Sequence, residues 1–129
     1  MNKLIAFLLL FSLISIGCAF DIVKVKQTPA NLTAEEYREK SFKLVKEVTV
    51  TLSTGYKRKI KAGKKWDYIG KISQGKVYKT DDQVLTIEGS NIYEADIVVS
   101  NSDLVGFYLP VEKTFCPLSS PIKLEMEEI

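Results

Sequence analysis

From residue 42 onward, apolar and polar side chains alternate, and this period of two restricts the fold more than any other feature of the chain. In residues 42–52, one face carries the apolar set Phe42, Leu44, Val48, Val50 and Leu52. Such alternation is typical of a β-strand that buries one face and exposes the other. Turn residues follow at positions 53–55, so residues 56–62 are predicted to return as the second strand of a hairpin.

The same combination of alternation and turn residues recurs to the end of the chain. Further strands are predicted at residues 66–72, 76–79, 83–87, 92–99, 104–111 and 122–126. Gly70 interrupts the first of these strands, which is typical of a bend or of a close approach by another backbone segment. Because Pro117 and Pro121 lack an amide donor, the final strand is predicted to lie at a sheet edge.

The clearest hairpin in the second half of the chain joins residues 92–99 to residues 104–111. One face of each arm is apolar throughout, with Tyr93, Ala95, Ile97 and Val99 on the first arm and Val105, Phe107, Leu109 and Val111 on the second. These residues are predicted to face the core.

One short helix is predicted before the strands. Thr33 and Glu36 have the spacing of a capping box, which predicts a helix from residue 34 to about residue 40. With turn signals every eight to twelve residues and only this helix, the chain is predicted to be mainly β. The predicted architecture is a small antiparallel β-sandwich or partly open β-barrel with one short N-terminal helix.

The first residues of the chain have the pattern of an export signal. A short positive start ending at Lys3 precedes an uncharged, largely apolar run at residues 4–17. As a helix this run would cover only about 21 Å, whereas the hydrocarbon core of a bilayer is about 30 Å thick. A permanent membrane-spanning helix is therefore the weaker interpretation.

The residues after this run, Ser15-Ile16-Gly17-Cys18-Ala19, resemble the lipobox of bacterial lipoproteins, although Ser15 stands where Leu is usual. The resemblance is confined to residues 1–19. It implies a signal peptide at residues 1–17, acylation of Cys18 by fatty acid, and a lipidated tether at residues 18–31. Ala19 differs from the Asp that retains such proteins at the inner membrane, so an outer-membrane location is implied where the cell has one.

Other fates of the N-terminus remain open. A signal peptidase cutting after Gly17 or after Ala19 would release a secreted or periplasmic protein, and an uncleaved signal would serve as an anchor. Cys116 could pair with Cys18 only after cleavage at Gly17 without acylation. Since its neighbours are apolar, Cys116 is predicted to be a buried small hydrophobe rather than a nucleophile.

Size and composition suit a single domain with its own core. Removal of residues 1–17 would leave 112 of the 129 residues, and over the whole chain 46% are apolar and 26% are charged. Such a length can bury a stable core without disulfides or a metal ion. One β domain is therefore predicted over residues 32–129.

The sequence lacks the residues of the common catalytic centres. It contains no histidine, and its glycines do not form a phosphate-binding loop. No enzymatic activity, cofactor or metal site is therefore predicted. The one catalytic alternative is a carboxylate hydrolase: Glu94 and Asp96 would lie roughly 7 Å apart on one strand. Two acids on a solvent-exposed face are the more ordinary interpretation of that pair.

The charge is unevenly distributed although its formal net value is only +2. Nine basic residues and the single acid Asp67 fall within residues 57–79, while ten acids and two lysines follow in residues 80–129. The predicted binding residues are Tyr56, Lys57, Arg58, Lys59, Lys61, Lys64, Lys65 and Trp66. They would suit anionic lipid, glycolipid or an acidic envelope protein; nucleic acid is not a predicted partner of an exported protein. The alternative is that acidic strands neutralise them within the fold.

Together these features predict a noncatalytic interaction module of the bacterial cell envelope, held at the membrane by acylated Cys18. The alternative is a periplasmic or secreted β-barrel that binds a small ligand among its aromatic side chains. An unpaired basic patch would favour the first function and an enclosed apolar cavity the second. A cleft containing Glu94 and Asp96 would favour the hydrolase.

Overall fold

The computed structural model describes residues 26–34, 38–80, 85–89 and 91–129. Within these ranges the chain forms twelve strands and no α-helix. The strands are β1 (Thr28–Pro29), β2 (Phe42–Leu44), β3 (Val48–Thr51), β4 (Lys57–Ile60), β5 (Lys65–Ile72), β6 (Gly75–Thr80), β7 (Thr86–Glu88), β8 (Ile92–Glu94), β9 (Asp96–Ser100), β10 (Asp103–Leu109), β11 (Thr114–Lys123) and β12 (Met126–Glu128).

Eight strands form one sheet in the order β1-β11-β10-β9-β6-β5-β2-β12, and the remaining four form the hairpins β3–β4 and β7–β8. Every paired strand runs antiparallel to its neighbour. The mainly β, antiparallel fold is thereby confirmed. The C-terminal strand β12 lies at one edge of the sheet, and the β3–β4 hairpin contacts β11 through a bridge between Leu52 and Leu118.

The large core unites the sheet with both hairpins. Val50, Leu52 and Ile60 enter it from β3–β4, and Ile87 enters it from β7–β8. On the sheet side, the ring of Tyr78 packs edge-to-face against Phe42 at 4.8 Å and against Tyr68 at 5.6 Å. Such edge-to-face geometry adds favourable ring interactions to the burial of apolar area.

The predicted strand at residues 42–52 is two strands in different sheets. β2 pairs with β5 and β12, whereas β3 pairs with β4, and residues 45–47 connect them. Within this connection, the amide of Val45 donates to the carbonyl of Glu125. Leu44 and Val50 nevertheless enter the same core, which is why the apolar period continues across the break.

Two irregularities redirect side chains within the sheet. Relative to β6, the register of β5 shifts between Tyr68 and Gly70; relative to β9, the register of β10 shifts between Leu104 and Gly106. Because each shift adds one residue, the side chains beyond it change face. Val105 consequently packs on the opposite side of the sheet from Phe107, against the prediction that they share a face. Val111, also predicted to face the core, is 73% exposed.

The opposite side of the sheet carries a smaller core. It contains Ala30, Ile72, Val77, Val98, Tyr108 and Phe115. Ala30 belongs to the segment 26–34, here called the strap, which is bonded to two strands that are not neighbours in the sheet. The amide of Ala30 donates to Lys113 O at 3.0 Å before β11, and Thr33 exchanges two hydrogen bonds with Lys71 on β5.

The strap occupies the region where the helix was predicted to begin. The backbone of Thr33 is bonded to Lys71 in a β-bridge, and residues 38–40 have no helical structure. Residues 35–37 of the predicted helix lie outside the described residues, as do the export signal, Cys18 and the tether up to residue 25. No helix within the described ranges is long and apolar enough to cross a membrane.

Candidate functional site

An exposed basic surface lies on the hairpin formed by β3 and β4. This hairpin and the following residue Lys61 are here called the basic hairpin. On β4 the side chains of Lys57 and Lys59 are exposed, while Ile60 is buried in the core. The cross-strand partners of the two lysines are Thr51 and Thr49, which are uncharged. The period-two pattern thus exposes one row of side chains, which contains the lysines, and buries side chains of the opposite row, which anchor the hairpin in the core.

The lysines of the basic hairpin have no acidic partner among the described residues. No ion pair or side-chain hydrogen bond within those ranges involves Lys57, Arg58, Lys59 or Lys61. Continued by one residue beyond the pair of Val48 and Ile60, the strand register puts Glu47 opposite Lys61, but no ion pair between the two is found. Within the described part of the chain, the positive charge of this hairpin is therefore not neutralised by an ion pair.

Five of the eight predicted binding residues line one shallow concavity of about 450 Å³ that is open to solvent: Tyr56, Lys57, Arg58, Lys59 and Lys61. Arg58 is half-buried opposite Val50, and its Nε is buried without a hydrogen-bond partner in the described part of the chain. Four of the five residues that line this concavity are cationic and one is aromatic.

The other three predicted binding residues lie elsewhere. Lys64 is in the turn before β5, and Lys65 on β5 forms an ion pair with Asp67 at 3.6 Å. Trp66 is 2% exposed and belongs to the core, so its ring does not reach the surface of the basic hairpin. The structure thus brings together residues 56–61 of the predicted set.

Acids from the C-terminus complement a different group of lysines. β12 pairs with β2, and this pairing places Glu127 3.8 Å from Lys43 and Glu128 3.6 Å from Lys40. Cross-strand complementarity of the kind predicted therefore occurs at the β2–β12 edge, and among the described residues it leaves the basic hairpin unneutralised. The ion pairs of the lysines at positions 40 and 43 could not be predicted from the sequence, because they depend on the pairing of β2 with β12.

Glu94 and Asp96 do not form the solvent-exposed pair that one continuous strand would present. The strand is interrupted at Ala95, whose amide donates to Leu85 O. Glu94 is therefore the last residue of β8 and Asp96 is the first residue of β9. Asp96 is only 4% exposed and lies opposite Tyr108 on β10. Sequence alternation placed Asp96 outward, but that face of the sheet also holds the smaller core and is itself covered.

Burial gives Asp96 unusual acid–base behaviour. Loss of hydration raises the pKa of its carboxyl to about 6; the positive charge of Lys79 opposes this rise and the negative charge of Glu94 adds to it. Burial also raises the pKa of the Tyr108 hydroxyl, with a further contribution from the charge of Asp96. A carboxyl that titrates near neutrality can serve in catalysis, but here its position in the sheet points to an effect on stability.

Cys116 is a free, buried thiol, as predicted. Burial raises its pKa to about 11, which keeps it protonated and weakly reactive near neutral pH. Its side chain packs in the large core beside that of Leu118. Cys116 therefore acts as an apolar core residue.

Other kinds of site find little support in the described ranges. No group of three or more potential metal ligands is found there. The concavity of about 370 Å³ beside Tyr78 and Met126 and that of about 320 Å³ beneath the strap are both open to solvent and partly polar. Neither resembles the enclosed apolar cavity of a small-ligand carrier.

Comparison with known proteins supplies no relative. No protein-family model matches the chain, and neither a curated protein nor a solved structure is significantly similar to it.

Proposed function

We propose that this protein is an exported bacterial lipoprotein that acts as a noncatalytic interaction module of the cell envelope. Acylated Cys18 would hold it at the membrane, with the outer membrane favoured, and the basic hairpin would bind an anionic partner. The observation that carries the binding proposal is the row of exposed lysines 57, 59 and 61, which has no acidic partner among the described residues.

The chemistry of this row favours a surface with many negative charges over a single small anion. Alternate residues of a strand are roughly 7 Å apart, a spacing comparable with that of neighbouring lipid headgroups or of acids on a partner strand. A lysine near an anionic membrane contributes about 1 kcal/mol, so three lysines together would strengthen binding about a hundredfold.

We further propose that the sheet is arranged as a partly open β-barrel. Leu52 bridges to Leu118, which places the β3–β4 hairpin beside β11, while β2 pairs with β5 on the other side of the molecule. Residues 45–47 connect β2 directly to β3. This arrangement supports a curved sheet around one core. Among the described residues, that core contains no enclosed cavity of the kind that a ligand carrier needs.

The membrane anchor can be tested by replacing its cysteine. Cys18→Ser is expected to abolish both incorporation of labelled fatty acid and fractionation with membranes, because the thiol is the acylated group. The assay is metabolic labelling followed by cell fractionation. A parent protein that incorporates no fatty acid, with membrane fractionation unchanged in Cys18→Ser, would disprove the lipoprotein proposal.

The basic hairpin can be tested by charge reversal. Replacement of Lys57, Lys59 and Lys61 together by Glu should lower binding to vesicles containing phosphatidylglycerol by about a hundredfold or more. Binding of the parent protein should weaken as the salt concentration rises. The measurement is vesicle co-sedimentation of the mature protein lacking acylation, with neutral phosphatidylcholine vesicles for comparison.

A matched pair of single variants controls this experiment. Lys59→Glu should weaken binding, whereas Lys46→Glu, the same charge change at an exposed position of the β2–β3 connection, should have a much smaller effect. Equal losses in the two variants would show that net charge alone governs binding. A soluble poly-glutamate competitor distinguishes an acidic protein partner from lipid, since preferential capture of the polymer would favour the protein.

A further inference from the structure

The strap and the basic hairpin meet on the same strand edge. β10 pairs with one edge of β11. The other edge pairs with the strap, where Thr28 lies opposite Phe115, and bridges to the basic hairpin, where Leu52 lies opposite Leu118. These two positions on β11 are three residues apart, about 10 Å along a strand.

The directions of the two segments bring their ends together. Both run antiparallel to β11, so the strap and β3 point the same way along its edge. Extended back from Thr28 at the same register, the strap runs toward Leu118, and Lys26 would fall opposite Pro117, next to the position where Leu52 leads into the turn at residues 53–55. Pro117, between the two pairing positions, has no amide to bond with either segment.

The chain therefore enters the described fold beside the turn of the basic hairpin. Gln27 is fixed at this point because its Oε1 accepts a hydrogen bond from the Thr114 hydroxyl at 2.7 Å. Lys26 is exposed and adds one more cation to the same end of the molecule. Lys57, the first lysine of β4, follows that turn directly.

The distance to the proposed anchor is short. Lys26 is eight positions after Cys18, and even fully extended this stretch would span at most about 29 Å. Because the entry point is held by strand pairing, the chain that leads back to the proposed anchor leaves the domain at the end that carries the hairpin turn. Electrostatic attraction to anionic headgroups operates within about 10 Å at physiological salt. It would therefore act on the lysines at this end of the domain when this end lies against the membrane.

From this juxtaposition we infer that the basic hairpin faces the membrane in which the protein is anchored and binds the anionic headgroups of that same membrane. This inference rests on the proposed function, and it names lipid of the anchoring leaflet as the partner. A basic patch next to a lipid anchor adds electrostatic attraction to anionic headgroups to the hydrophobic insertion of the acyl chains. The strap would then set the orientation of the domain on the surface.

The orientation is tested on the acylated full-length mature protein with a fluorophore at one of two matched positions. Ser53→Cys lies in the turn of the basic hairpin, and Ser73→Cys lies in the exposed β5–β6 turn, near the other end of the strap. Acylation occupies Cys18, and the raised pKa of buried Cys116 leaves the introduced thiol as the labelled group. The probe membrane is phosphatidylcholine with phosphatidylglycerol and a quencher attached to its headgroups.

We expect the fluorophore at residue 53 to lose most of its emission on these vesicles while the fluorophore at residue 73 keeps most of it. The difference should disappear in high salt, in pure phosphatidylcholine, and when Lys57, Lys59 and Lys61 are replaced by Glu. Equal quenching at the two positions would overturn the inference.

The failure of this inference differs from failure of the proposed function. Gathering of a second population of anionic vesicles by the anchored protein is measured as growth in particle size. If such gathering occurs while the fluorophore at residue 53 remains unquenched, the hairpin binds anions but faces away from its own membrane. The inference is then wrong and the binding proposal stands. If the hairpin lysines affect neither quenching nor vesicle gathering, both are wrong.

Discussion

The protonation of Asp96 is coupled to folding. Its pKa is about 6 in the folded protein against an ordinary value of 3.8, so the folded state retains a proton that the unfolded state loses between these pH values. The contribution of this group to the free energy of unfolding therefore falls as pH rises from 4 to 6 and is constant above that range. Two pKa units correspond to about 3 kcal/mol.

Replacement of Asp96 by Asn should remove this dependence. The free energy of unfolding of Asp96→Asn, minus that of the parent, should increase between pH 4 and pH 7 by up to about 3 kcal/mol. Urea denaturation at several pH values measures it, and the comparison at pH 3 serves as the internal control because the carboxyl is then largely protonated in both states. A difference that stays flat or declines with pH would contradict the assigned burial of a charged carboxylate.

Single residues also explain why parts of the sequence-based interpretation failed. The alternation correctly placed Phe107 and Leu109 in the core, yet it could not reveal the extra residue of the bulge before Gly106. A Cβ at Gly106 would lie 2.4 Å from Cys116 O, a close approach that depends on a strand ten residues away in sequence. Gly70 was identified correctly as a point of close approach, because a Cβ there would lie 2.7 Å from Thr33 O.

At the scale of elements, the strands were predictable and their partners were not. Period two identifies a half-buried strand but gives no sheet order, so the division of residues 42–52 between two sheets left no local signal. Residues 26–31 of the strap were predicted to belong to the tether, and Thr33 was predicted to cap a helix. The structure of the strap depends on pairing with β11 and β5, which are distant in the chain.

The strap should detach when its buried side chain is made charged. Ala30 is 7% exposed and packs in the smaller core, so Ala30→Asp would bury a carboxylate among apolar groups. We expect the amides of Thr33 and Lys71, which bond across the strap and β5, to lose protection in hydrogen exchange while the amides of β9 and β10 remain protected.

Asn31→Asp provides the matched control for strap detachment, since it places the same charge on the neighbouring, exposed residue. Its exchange pattern should stay close to that of the parent protein. Unchanged protection of Thr33 and Lys71 in Ala30→Asp would show that the strap is held independently of the smaller core.

At the scale of the whole molecule, the basic hairpin and the sheet share one core and should unfold together. Leu52 and Val50 of the hairpin are at most 2% exposed and lie in the same apolar cluster as Trp66 and Phe107 of the sheet. A hairpin of two strands has little stability alone, so its order depends on that cluster. A mutation in the hairpin should therefore shift the unfolding transition that is observed at Trp66.

Leu52→Ala tests this coupling. Removal of the buried side chain should lower the free energy of unfolding by about 2–5 kcal/mol. Since the chain has a single Trp, buried in β5, its fluorescence reports unfolding of the sheet, and that transition should shift to lower denaturant together with the circular dichroism transition. Leu32→Ala, the same change at a strap residue that is 36% exposed, should have a much smaller effect. If Leu52→Ala changed the circular dichroism and left the Trp66 transition in place, the hairpin would be a separate folding unit, and its lysines would be carried on a mobile arm instead of a fixed surface.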